Sequence, residues 1–121
     1  MDVWKVSHHG AVNGTNKAWL DAITPIYAVI CCGKWFSGDH TGFKFNTYHY
    51  GHPRVSTLNF LSQSIPGNRP ALDTPIVAFN GITTNHVKVT ITKNIYCTAW
   101  DGNVTVKATS DGVYTAVTND K

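Results

Sequence analysis

The uninterrupted apolar run Ile26-Tyr27-Ala28-Val29-Ile30-Cys31-Cys32, closed by Gly33, constrains the fold of this chain more than any other stretch. A strand with one wet face alternates apolar and polar residues; a run without alternation suits a strand buried on both faces, the usual state in a parallel sheet. Upstream, Lys17 to Ile23 carries Trp19, Leu20 and Ile23 at helical spacing and stops before Pro25. Thr15 or Asn16 stands where an N-cap belongs. Val3 to Val6 reads as a short strand. Strand, helix, strand in that order is the βαβ unit of a parallel or mixed sheet and predicts an α/β fold.

Beyond this unit, residues 33–51 form a long aperiodic stretch holding Trp35, Phe36, Phe43, Phe45, Tyr48 and Tyr50 among glycines and polar residues. Its aromatic content argues for order, as a flap that stacks single-stranded bases or as a small satellite core under a long loop. His52-Pro53 opens a second predicted helix with Pro53 in its first turn and Val55, Leu58 and Leu61 along one face. Gly67 to Pro75 reads as a connector. Residues 76–121 then turn to period two, with Ile76–Phe79, Val87–Ile91, Ile95–Thr98, Val104–Lys107 and Val113–Val117 as strands of an antiparallel meander. Asp101-Gly102 and Asp111-Gly112 supply tight turns between them.

The 121 residues fit a single domain, 1–121, with residues 1–66 as its βαβα part. Charged residues make up 14% of the chain, against roughly a quarter in ordinary soluble domains, while 42% are apolar. Few charges over many apolar residues point to a surface meant to be covered, and unpaired edges on the first two strands favour association. The formal charge of +3 permits a polyanionic partner, but the basic residues are scattered rather than clustered. Cys31, Cys32 and Cys97 form no CxxC pair, which leaves buried free thiols rather than a zinc knuckle or a disulfide framework. No signal-peptide pattern opens the chain, no apolar run approaches the roughly 20 residues of a membrane span, and the compartment is not encoded.

The chemistry concentrates where the first strand empties into Ser7-His8-His9-Gly10. In open α/β sheets the site lies beyond the carboxyl ends of the strands, so histidines there are placed as metal ligands. The alternative is that His8 or His9 is a loop histidine bonded to backbone. His52 can donate a proton, polarise a leaving group or bind a phosphate, or simply cap the helix behind it. Gly51 allows close backbone approach, and the helix start behind it favours an anion. Lys5, Gly10 and Gly51 are therefore candidate substrate contacts. Lys34 is a further lysine within reach of a phosphate, while His40, His49 and His86 have no motif around them. Asn13-Gly14-Thr15 and Asn103-Val104-Thr105 match the glycosylation pattern by chance.

Taken in order, Val6-Ser7-His8-His9-Gly10, the Asn13 to Asn16 turn, Pro25 to Ile30, Tyr50-Gly51-His52-Pro53, and Tyr96 to Val106 with the closing Asp111-Gly112 hairpin resemble the C-terminal half of ComEC-type competence proteins, which handle DNA uptake. Those carry a metallo-β-lactamase-fold hydrolase domain. The resemblance implies the second half of an αββα sandwich, His8 with His9 as metal ligands for zinc or manganese, His52 as a catalytic group, and DNA or another phosphodiester as substrate. It also implies a membrane-associated parent family. The family's principal HxHxDH motif and its bridging aspartate are absent from these residues; Gly38-Asp39, the one Gly-Asp pair, lies on the wrong side of the histidine pair. A two-metal hydrolase needs about three to five His/Asp ligands, so this chain is expected to be inactive alone. Its complement would come from an N-terminal half or a separate chain. The alternative is a non-catalytic binding or assembly module on the same scaffold.

Overall fold

The computed structural model describes residues 1–33, 52–73, 78–79 and 86–119. The expected βαβ unit is present: β1 (Val3–Lys5), α1 (Lys17–Ile23) and β2 (Tyr27–Ile30), with β1 and β2 parallel. Asn16, not Thr15, is the cap, its Oδ1 accepting from the Trp19 amide at 2.8 Å. The helix ends on Thr24 in the left-handed region, immediately before Pro25. Asn16→Ala is expected to cost about 1 kcal/mol, read from the denaturation midpoint, because the Trp19 amide then has only water to bond.

α2 (Val55–Ser64) packs on α1 and buries Thr57, Leu58 and Leu61. It opens two residues later than its sequence predicts. Pro53 precedes it, and Arg54 holds the N-cap position without a side-chain capping bond, so His52 does not cap this helix.

Three departures follow from the C-terminal residues. The Gly67–Pro75 connector contains a strand, β3 (Asn68–Asp73), paired antiparallel with β6 (Thr90–Lys93). The register shifts between Asn68 and Leu72, where Pro70 has no amide to give a ladder. Secondly, β7 (Ile95–Cys97) is not part of a meander: it pairs parallel with β2, giving a three-stranded sheet in the order β1-β2-β7. Its three residues are all buried, as a strand covered on both faces requires. Thirdly, Asp101-Gly102 is no hairpin turn. Thr98–Asp101 form a single helical turn, α3, because the buried Asp101 carboxylate folds back to accept the Cys97 amide.

The remaining strands pair in twos rather than as one meander: β4 (Ala78–Phe79) with β5 (His86–Val87), and β8 (Asn103–Ala108) with β9 (Tyr114–Asn119). The β8–β9 hairpin turns through Asp111-Gly112 as its sequence predicts, with Gly112 at φ 85° and Thr109 N–H bonded to Val113 O.

One face of the parallel sheet presents Trp4, Val6, Ala28, Ile30, Ile95 and Cys97 to the helices, closing a core with Leu20, Leu58, Leu61, Ile65 and Ile91. Each such fully buried aliphatic side chain contributes about 1.5–3 kcal/mol. The other face is only half covered. There the Tyr27 ring lies between Tyr96 and Tyr114 of the hairpin, with centroids 6.4 Å from each, and the Tyr114 hydroxyl donates to Asp2. Arg69 from β3 lies 4.2 Å over the Tyr96 ring.

Candidate functional site

Parallel β1, β2 and β7 point their carboxyl ends at one edge of the sheet, where the Ser7–Gly10 turn, Cys31 to Gly33 and Thr98 gather. The turn after β1 is unusual. His8 (φ 49°, ψ 44°), His9 (φ 55°, ψ 25°) and Gly10 (φ 81°) are successive left-handed residues. Each non-glycine residue in that region costs about 1–2 kcal/mol, so the turn persists only because its surroundings hold it.

The restraints are specific. Ala11 N–H bonds back to His8 O at 2.9 Å, Arg54 N–H reaches Gly10 O at 2.9 Å, and Thr57 Oγ1 donates to Ala11 O at 3.2 Å. Gly10 lies against Pro53 so closely that a Cβ there would sit 2.6 Å from the proline's own Cβ. The two histidine-bearing segments are therefore docked on each other through backbone and glycine.

This docking brings His8, His9 and His52 together, with ring centroids 5.1 Å apart for His8–His52, 6.2 Å for His9–His52 and 6.3 Å for His8–His9. The orientation of two rings is fixed by their partners. His9 Nδ1 lies 2.6 Å from Cys31 O, which can only accept, so that nitrogen carries the proton. His8 Nδ1 donates likewise to Asn13 Oδ1 at 2.8 Å. In the neutral ring this leaves the lone pair on Nε2 of both, the arrangement found behind metal-ligating histidines.

His8 and His52 are the nearer pair of rings, and His9 lies about 1 Å farther from each. Among the described residues, no group of three or more His, Cys, Asp or Glu side chains is arranged to hold a metal ion. Imidazole nitrogens are donors that suit a divalent cation, and any further ligands would have to come from outside this cluster.

His9 faces an open recess of about 300 Å³, lined also by Cys31, Cys32, Gly33 and Thr98. No disulfide joins Cys31, Cys32 and Cys97; Cys32 and Cys97 are buried as the sequence predicts, whereas Cys31 is half-buried. Burial, and secondarily a hydrogen bond to the Cys32 thiol, pushes the Cys97 thiol well above its ordinary value.

Of the sequence-predicted contacts, Gly10 is part of the site and Lys5 is exposed at the end of β1. Gly51, Lys34, His40, His49 and the aromatic 33–51 segment beyond Gly33 lie outside the described residues, and His86 opens β5. Asn13 and Thr98 escaped the sequence argument. Asn13 reads as a turn residue, and only its placement opposite His8 reveals the second role. Comparison of the chain with protein-family models, curated proteins and solved structures returns no match. No helix among the described residues is long and apolar enough to cross a membrane.

Proposed function

We propose that this chain is the histidine-bearing half of a metal-dependent phosphodiester hydrolase of the metallo-β-lactamase type, similar to the competence-protein domain and acting on DNA or a related phosphodiester. The observation that carries this reading is the convergence of His8, His9 and His52 from two segments at the carboxyl edge of a parallel sheet, with Nδ1 of the first two tied back. His8 and His52 would hold the ion. A divalent zinc or manganese ion held there would supply polarisation of a phosphoryl oxygen and a more acidic bound water. His9, at the mouth of the recess, presents Nε2 to accept a proton, or an N–H to a phosphate oxygen once protonated. The bridging carboxylate and further ligands would come from an N-terminal half or another chain, so hydrolysis is expected only when these are supplied.

Titration calorimetry with zinc tests the reading. Saturable binding that weakens at least tenfold in both His8→Ala and His52→Ala, with a smaller loss in His9→Ala, is the expected result. Binding indifferent to all three substitutions sinks it. The second reading, a binding or assembly module, rests on the β8–β9 hairpin, which leaves Val113 and Val117 exposed at 54% and 45%. Under that reading a partner protein binds with zinc chelated away, and substitutions on the hairpin, not in the histidine cluster, abolish it.

A further inference from the structure

Cys32 and Cys97 stand at the carboxyl ends of neighbouring strands, and the proposed histidine chemistry uses neither. Ile30 pairs with Cys97 across β2 and β7, and Cys32 follows two residues later, so alternation puts both cysteines on the sheet's core face. Past the paired residues, Thr98 clamps the two chain segments. Its hydroxyl accepts from the Cys32 amide at 2.9 Å and donates to the Cys32 carbonyl at 2.8 Å. The Cys32 Sγ donates to His52 O at 3.0 Å, and the Cys97 thiol is hydrogen-bonded to Cys32. Cys97 is fully buried, whereas Cys32 retains 8% exposure and lines the recess. Cys31, half-exposed, falls on the opposite side of the strand by alternation.

We propose that Cys32 and Cys97 form a thiol–disulfide exchange site that takes low-molecular-weight disulfides through the recess at the end of β2. The Cys32 thiolate attacks one sulfur of the small disulfide RSSR, forming a Cys32–S–S–R bond and expelling RS⁻, which takes up the proton Cys32 lost. Cys97 then attacks Cys32 Sγ, breaks that bond and releases a second RSH with its own proton. Two protein thiols become one disulfide while RSSR is reduced to two RSH. The order follows from access: Cys32 meets the recess and Cys97 does not.

Oxidation removes the S–H that Cys32 donates to His52 O, and so loosens the segment that carries His52 toward His8. The exchange itself does not depend on what the histidines bind.

The test incubates the full chain, folded, with oxidised glutathione, then blocks remaining thiols and measures intact mass and the disulfide map. The expected product has lost about 2 Da, carries a Cys32–Cys97 bond and leaves Cys31 to be alkylated. Cys31→Ser behaves the same way; Cys97→Ser stops at the Cys32 glutathione adduct. A bond mapped to Cys31–Cys32, a bond between chains, or three free thiols at the end of incubation overturns the proposal. The coupling has its own readout, since the His52 ring resonances should shift on oxidation of the native chain and not in Cys32→Ser, which keeps an O–H donor toward His52 O and has no sulfur there to oxidise. Unchanged resonances in a chain that has formed the Cys32–Cys97 bond overturn that part.

Discussion

Gly10→Ala is expected to lower the free energy of unfolding by about 2–5 kcal/mol, a large part of the roughly 5–15 kcal/mol that holds a domain folded. Two costs add. An alanine at φ 81° carries the left-handed penalty of about 1–2 kcal/mol. Its Cβ must also displace Pro53, whose Cβ and Cα would lie 2.6 and 3.1 Å away, and overpacking of that kind costs about 1–3 kcal/mol. Gly112 separates the two terms, because it has nearly the same backbone, φ 85°, with nothing within 4 Å of a new Cβ. Gly112→Ala should therefore lose only the backbone part.

The measurement is the urea midpoint of both variants at unchanged slope. Equal losses would mean that contact between the Gly10 turn and Pro53 carries no energy. Function provides a second comparison. Pushing Pro53 away carries the adjacent His52 from His8, so zinc affinity should fall at least tenfold in Gly10→Ala and remain native in Gly112→Ala.

That contrast also shows what can be read from the residues alone. The first unit is legible because each signal is local: the Lys17 to Ile23 spacing, the cap at Asn16, the stop at Pro25 and the apolar run behind it all agree with α1 and β2. The Asp111-Gly112 turn is legible for the same reason. Ile95–Cys97 misleads because a short strand carries no information about its partner. Whether it joins a hairpin or the edge of a parallel sheet is set by residues distant in sequence, such as Ala28 to Ile30 beside it and Arg69, which covers Tyr96 from 27 residues away. Asp101-Gly102 misleads in the same way, since a turn dipeptide gives no sign that its carboxylate will be drawn inward by a guanidinium. At the site, the strand-end rule places His8 and His9 correctly at the carboxyl edge. The approach of His52 is a tertiary fact, set by Gly10 against Pro53, and the fixing of the two rings depends on Asn13 and a carbonyl that no motif marks.

Removing Arg69 should be as damaging as crowding Gly10, by a different mechanism. Its guanidinium grips the Asp101 carboxylate with two bonds of 2.8 and 2.9 Å, and the two side chains are only 9% and 4% exposed. The same Nη1 donates to Ile95 O at 3.0 Å, and Asp101 accepts the Cys97 amide at 3.0 Å. Arg69→Met leaves a buried carboxylate without its countercharge and should cost about 3–5 kcal/mol. For a domain of this size that is a fall in Tm on the order of 10–20 °C.

The double variant Arg69→Met/Asp101→Leu removes both charges and should be less destabilised than the two single losses added together, giving a coupling of a few kcal/mol in a double-mutant cycle. Arg69→Lys keeps the charge but loses the planar fork, so most of the loss should persist. Full recovery by lysine would make the pair a matter of charge alone. A cycle that closes with no coupling would place the stability of this corner in its apolar neighbours. Either result bears on the site as well, because the grip holds β7 where it delivers Cys97 and Thr98 to the edge shared with His9.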